Sequence, residues 1–210
     1  MAVIRQSDIN LAGVQGVVFD LDGTLASSNP DFDALCHELG ITRGTDILQW
    51  HGALTCTQAQ AQASMIIRRH ELQSSATAEW IPGARELLNF LHRQGLPTAI
   101  LTRNIRQAAR LTLTRLQCDI QLVMTREDAP AKPSPVGLER ICRQWGIAPS
   151  RCLYVGDYLF DLQTARNAGA MSLLYCELDP MPEYAHLADL VTDNYLDLVS
   201  LLQQEGPGCR

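Results

Sequence analysis

Two carboxylates, Asp20 and Asp22, stand where the apolar run Gly16-Val17-Val18-Phe19 gives way to Gly23-Thr24. A short buried strand breaking into a glycine turn is an unfavourable place for acids. Burying a carboxylate without partners costs several kcal/mol, so such a pair binds a cation, binds a ligand or carries out chemistry. Later apolar runs are followed by Thr102-Arg103-Asn104, by Lys132-Pro133, and by Gly156-Asp157 with Asp161. Gathered in one pocket, Asp20, Asp22, Asp157 and Asp161 would face a single Lys132. Each like-charge contact at about 4 Å costs roughly 4 kcal/mol at an effective dielectric near 20, so the cluster needs a cation. An all-oxygen donor set without His or Cys suits a hard divalent ion, and Mg2+ accepts one or two carboxylates together with a phosphate oxygen. With Mg2+ and Lys132 the pocket can receive a phosphate dianion. Thr102 and backbone N–H groups near Gly23 and Arg103 can hold the remaining oxygens without adding charge.

These residues can meet only if the chain delivers them to one rim. Strand candidates are Gly16 to Phe19, Pro97 to Leu101, Ile120 to Thr125, Cys152 to Val155, Met171 to Tyr175 and Leu190 to Thr192. Helical spacing separates them: Ala84, Leu87, Leu88 and Leu91; Ile105, Ala108, Ala109, Thr112, Leu113 and Leu116; Leu138, Ile141, Cys142 and Trp145 before Gly146; and Tyr195, Leu198, Val199 and Leu202. Strand, helix, strand in this rhythm predicts right-handed crossovers and an α/β fold with a doubly wound parallel sheet. Ligands of such sheets sit beyond the carboxyl ends of the strands, where the acids, Lys132 and Thr102 fall. Residues 26–79 break the rhythm, with helices expected around Phe32 to Leu39 and Thr57 to Leu72 and Ser74 to Thr77 as a linker. This is read as a small helical insertion closed by Trp80-Ile81-Pro82-Gly83, with residues 1–25 and 80–210 forming the core.

Composition bounds the rest. A 210-residue chain that is 46% hydrophobic suits one domain with a small insertion, and a net charge of -6 argues against a nucleic-acid surface. Seven cysteines, at 36, 56, 118, 142, 152, 176 and 209, form no CxxC pair and are odd in number, which reads as reduced thiols. Residues Met1 to Asp8 lack a signal-peptide core, and no apolar run approaches the roughly 18 residues of a membrane span. The expectation is a cytoplasmic protein without a membrane or nucleic-acid partner.

As a set, these motifs resemble the haloacid dehalogenase-like hydrolases. Asp20-Leu21-Asp22-Gly23-Thr24-Leu25 is similar to the family's nucleophile signature, Leu101-Thr102-Arg103-Asn104 to its threonine motif, Ala131-Lys132-Pro133 to its lysine motif, and Gly156 to Asp161 to its acidic motif, continued by Ala165 to Gly169. The insertion after the first motif is similar to the family's small helical cap. The resemblance implies a Mg2+-dependent phosphatase acting on a small phosphorylated metabolite. Asp20 would be the nucleophile that forms an aspartyl-phosphate and Asp22 the general acid and base. Asp20, Asp22 through its carbonyl, Asp157 and Asp161 would serve the metal, with Asp161 acting through a water or by orienting Lys132. Gly23, Thr102, Arg103 and Lys132 would surround the phosphoryl group. A phosphomutase on the same core is the first alternative, and a phospho-accepting signalling module the second.

Taken singly, several residues admit plainer roles. Asp20 and Asp22 could form a turn, Thr102 could cap the helix near Ile105, Arg103 could face solvent, and Asp161 could be an acid in a first helical turn. His37, Arg43, His51, Arg68, Arg69 and His70 in the insertion could select substrate or simply lie on the surface. Phosphoglycolate, sugar phosphates and nucleoside monophosphates are all compatible substrates.

Overall fold

The computed structural model describes residues 3–28 and 30–207; Met1, Ala2 and Cys209, which entered the sequence reading, lie outside them. The strands are β1 (Ile4–Arg5), β2 (Gly16–Phe19), β3 (Ala26–Ser27), β4 (Glu79–Trp80), β5 (Thr98–Leu101), β6 (Leu122–Met124), β7 (Cys152–Gly156), β8 (Met171–Tyr175) and β9 (Leu190–Thr192). The α-helices are α1 (Phe32–Leu39), α2 (Ile47–Gly52), α3 (Thr57–Ala76), α4 (Ala84–Arg93), α5 (Arg106–Leu116), α6 (Val136–Trp145), α7 (Leu159–Ala168) and α8 (Tyr195–Glu205).

Among the described residues, seven strands form one sheet in the order β1-β9-β8-β7-β2-β5-β6. All its pairings are parallel except β1 on β9. In β2 the pleat sends Val17 and Phe19 into one apolar cluster and Val18 into another, so a strand buried on both faces reads as an unbroken apolar run. The first cluster holds α4, α5 and α8 through Leu87, Leu113 and Leu198; the second holds α6 and α7 through Leu138, Ile141 and Ala165. The sheet is doubly wound. From β2 the chain builds outward through β5 and β6 and then returns to β7 on the other side, so the winding reverses beside the carboxyl end of β2.

The inserted segment is helical, but differs in detail from the expectation. Its ends pair as a two-stranded antiparallel ribbon, Ala26 with Trp80 and Ser27 with Glu79, which straddles the expected boundaries. The ribbon is anchored to α5, where Trp80 Nε1 donates to Leu116 O at 3.0 Å and Arg115 Nε to Ala78 O at 2.7 Å. Helix α2, absent from the sequence reading, starts at the cap Asp46 and buries no side chain. The expected linker at Ser74 to Thr77 is largely helix. Ser74 and Ser75 turn their hydroxyls back to Glu71 O at 3.1 and 2.8 Å, which satisfies them inside α3.

Glu71 fixes this helix to the core. Its carboxylate accepts from Arg126 in the loop after β6, including Nη2 at 3.1 Å, and from Ile105 N at 3.4 Å. Burial pushes the Glu71 carboxyl above its ordinary range, against the opposing pull of Arg126. Removing one member of a largely desolvated pair strands the other. Glu71→Ala is therefore expected to lower unfolding stability by about 3 kcal/mol in denaturant titration. Arg69→Ala, which removes an ion pair with Glu38 that is half open to solvent, is expected to leave the denaturant midpoint nearly unchanged.

Candidate active site

Asp20 follows β2, and its backbone N–H donates to Val155 O at 2.8 Å, which ties it to β7. Lys132 Nζ lies 2.7 Å from Asp20 Oδ1 and 2.6 Å from Asp161 Oδ1, with side-chain exposures of 3% for the lysine, 13% for Asp20 and 1% for Asp161. Asp157 completes the group, and Asp20, Asp157 and Asp161 each offer an oxygen within 4.8 Å of the others. Residues far apart in sequence thus share one small volume with a single ammonium.

Electrostatics follows from that crowding. Burial pushes the Asp20 carboxyl up to about 7; Lys132 pulls it down, while Asp161 and Asp22 push it further up. Burial also raises Asp157 well above the carboxylate range, with Asp161 and Asp20 adding to it. For Lys132 burial works against the charged form, but Asp161 and then Asp20 outweigh it and hold the ammonium up to about 12. The pocket is short of positive charge. Its donors are all carboxylate oxygens, so the residues fit a hard divalent cation.

Two glycines make the approach possible. Gly23 has φ +81°, and a Cβ there would lie 2.2 Å from Asp157 Oδ2; at Gly156 a Cβ would lie 2.3 Å from Asp161 Cβ. Any side chain at either position would drive an acid out of the cluster. Gly23 does not otherwise match its expected role: its N–H donates to Ala26 O at 2.8 Å, so it closes the turn instead of facing a phosphoryl oxygen.

Asp161 offers an oxygen to the acidic cluster and has further partners of its own. Its Oδ1 accepts from Lys132 Nζ and from Tyr154 OH, the latter at 3.2 Å, and its Oδ2 accepts from Tyr158 N at 3.0 Å. Both oxygens are engaged, in orienting the lysine and in capping α7. Asp157 is held by Thr24 Oγ1 at 3.1 Å. Tyr184 OH donates to the Asp157 carbonyl at 3.3 Å.

Asp22 stands apart from the lysine. Ser28 Oγ donates to its Oδ1 and Asn104 Nδ2 to its Oδ2. Burial raises the Asp22 carboxyl above its ordinary value, with the two hydrogen bonds opposing. Thr102 is buried; its Oγ1 accepts from Asn104 N at 3.1 Å. It is not the cap of α5, because Ile105 occupies that position with no side-chain cap. Arg103 departs from the expectation of a phosphate ligand. Its guanidinium donates to Asp46 of the insertion and lies over the Phe160 ring, 4.3 Å from the centroid.

The basic residues of the insertion have other partners. Arg43 pairs with Asp33, His51 contacts Ser64 and Gln60 O, Arg68 meets Gln107, and Arg69 and His70 share Glu38. His37 is exposed. Ser28, Asp46, Asn104, Tyr154 and Phe160 are contacts of the site that the motifs alone do not single out. Thr24, Asn104 and Phe160 lay inside the quoted motifs, and their neighbours were the available signal. The six cysteines within the described residues are free thiols, and no helix there is long and apolar enough to cross a membrane.

The sequence profile described as haloacid dehalogenase-like hydrolase matches residues 14–169. A haloacid dehalogenase-like hydrolase domain-containing protein of Arabidopsis thaliana is 32% identical over 203 residues, covering 90% of this chain and 82% of its own length. An N-acetylmuramic acid 6-phosphate phosphatase of Pseudomonas aeruginosa is 26% identical over 216 residues, covering 91% and 96%. The crystal structure of a hydrolase from Pseudomonas syringae superposes with a TM-score of 0.73 at 24% identity, over 91% of this chain and 99% of that one, and shows the shared fold.

Proposed function

Because this chain belongs to the haloacid dehalogenase-like hydrolases, we propose that it is a Mg2+-dependent phosphatase of small phosphorylated metabolites, with Asp20 as nucleophile and Asp22 as general acid and base. The observation that carries this reading is the clustering of Asp20, Asp157 and Asp161, two of which, Asp20 and Asp161, pair with buried Lys132. The Pseudomonas aeruginosa relative, of comparable length, is named an N-acetylmuramic acid 6-phosphate phosphatase. Asp20, the Asp22 carbonyl and Asp157 would hold the cation, which supplies charge neutralisation for the incoming phosphate. Segment 26–79 would act as a cap over the rim.

In the first step a carboxylate oxygen of Asp20 attacks phosphorus, the bond from phosphorus to the ester oxygen breaks, and Asp22 delivers its proton to the departing alkoxide. Burial supports that proton, since it keeps the Asp22 carboxyl above the usual range. In the second step a water attacks the aspartyl-phosphate and gives its proton to Asp22, and inorganic phosphate leaves as the Asp20 carboxylate is restored. Lys132 and the Thr102 hydroxyl would donate to the phosphoryl oxygens that gain charge. Asp161 keeps the ammonium in place.

The test is multiple turnover of p-nitrophenyl phosphate. Release of phosphate is expected with Mg2+, falling to background with chelator and returning when Mg2+ is restored. A panel of phosphorylated metabolites ranked by kcat/KM then identifies the substrate. Absence of phosphate release from every ester with any divalent ion would refute the proposal.

A further inference from the structure

We propose that Arg103 is the residue that selects substrate, by exchanging its bond with Asp46 for the carboxylate of a small phosphomonoester that bears one; this rests on the phosphatase reading. The backbone on either side of Arg103 belongs to the site. Thr102 is buried beside it, and the Asn104 amide holds Asp22 Oδ2. The Arg103 side chain leaves this rim towards the insertion, the side on which the alcohol part of a phosphate ester would lie. Its guanidinium carbon lies over the Phe160 ring, 4.3 Å from the centroid, and Phe160 immediately precedes Asp161. A cation–π contact of this kind holds the guanidinium in place while its N–H groups stay able to donate to a carboxylate.

The partner it now has can be left at small cost. Asp46 Oδ1 also accepts from Leu48 N at 3.1 Å and Gln49 N at 3.4 Å as the cap of α2, so that carboxylate keeps partners when Arg103 lets go. Arg103 in turn keeps the Phe160 ring. The pair is partly open, with side-chain exposures of 22% and 21%. Arg126, the neighbouring cation, differs: both its terminal nitrogens are on Glu71, and it also donates to Arg103 O, which locks the loop. One exchangeable guanidinium in a field dominated by Asp20, Asp22, Asp157 and Asp46 suits a monoanionic carboxylate, and a second phosphate dianion would meet too little positive charge.

The experiment compares kcat/KM for 2-phosphoglycolate, which carries a carboxylate, with that for 2-hydroxyethyl phosphate, which lacks one. The wild type is expected to favour phosphoglycolate. Arg103→Gln is expected to lower the ratio of the two specificity constants about 10- to 100-fold, the worth of one charge-assisted hydrogen-bonded pair. Arg103→Lys, which keeps the charge without the fork, should fall between them. Asp46→Asn keeps a good helix cap while weakening the competitor for Arg103, so it should raise the ratio through a lower KM for phosphoglycolate. A ratio unchanged in both Arg103→Gln and Asp46→Asn overturns the assignment, as does a wild type that turns over p-nitrophenyl phosphate yet shows no preference for the carboxylate. A wild type that hydrolyses no ester at all defeats the phosphatase reading beneath it.

Discussion

Asp20→Asn is expected to lose at least about 10^4 in kcat, the order seen when a covalent nucleophile is removed, and to form no acid-stable, hydroxylamine-labile phosphoenzyme. Asp20 ends the central strand β2, is pinned to β7 through Val155 O, and presents Oδ1 to Lys132. An amide of the same shape keeps the backbone bond but cannot attack phosphorus. Folding should survive the change. Burial and two neighbouring acids already push the Asp20 carboxyl up to about 7, so its charge is poorly tolerated and a neutral group relieves repulsion. Lys132 keeps Asp161 as counter-charge. A thermal midpoint within a few degrees of wild type, together with lost turnover and lost labelling, assigns the defect to chemistry. Retention of wild-type turnover would remove Asp20 from the nucleophile role.

The strands and the acids that follow them were legible because one physical cause produces both signals. Strands buried on two faces are uniformly apolar, as Val17, Val18 and Phe19 are, and polar residues reappear at their carboxyl ends. What escaped detection was short or depended on distant partners. The ribbon strands β3 and β4 are two residues each, too brief for any period, and α2 has no buried face to leave an apolar spacing. Ser74 and Ser75 suggested a linker because serine competes with helical bonding, yet their hydroxyls close on Glu71 O and Ser75 is buried.

Site roles divide along the same line. Asp20, Asp157, Asp161 and Lys132 could be grouped by counting charges. The division of labour among them could not, because it turns on direction. Asp161 spends one oxygen on Lys132 and Tyr154 and the other on Tyr158 N, which makes it an anchor. Arg103 turns to Asp46, and Arg126 to Glu71, across 57 and 55 residues of chain that only the folded insertion brings together. The same insertion therefore supplies two ion pairs of different character. Glu71 uses both oxygens to tie α3 to the core, whereas Asp46 has helix N–H partners of its own and can release an arginine.

Lys132→Met separates the structural and chemical demands on this buried cation. In metal-free buffer its loss leaves Asp20, Asp157 and Asp161, with oxygens within 4.8 Å of one another, without the ammonium that now bonds two of them. Breaking a buried pair in this way costs about 3–5 kcal/mol, measurable as a lower denaturant midpoint at unchanged slope. Millimolar Mg2+ should raise that midpoint more in the variant than in wild type. A cation bound by the folded state alone adds stability, and without Lys132 nothing at the site repels it. Restored stability should not restore turnover. A phosphoryl oxygen would still lack its ammonium donor, and removal of one such donor costs about 10^2 to 10^3 in kcat. Lys132→Arg tests geometry at constant charge. The ammonium sits 3% exposed between two carboxylates and 5.9 Å from the Tyr154 ring centroid, a space fitted to a compact group, so the planar fork should keep more stability than Met while still losing rate. If Lys132→Met holds its metal-free midpoint and turns over within tenfold of wild type, the lysine neither balances the acids nor grips the phosphoryl group, and the charge argument for the site fails with it.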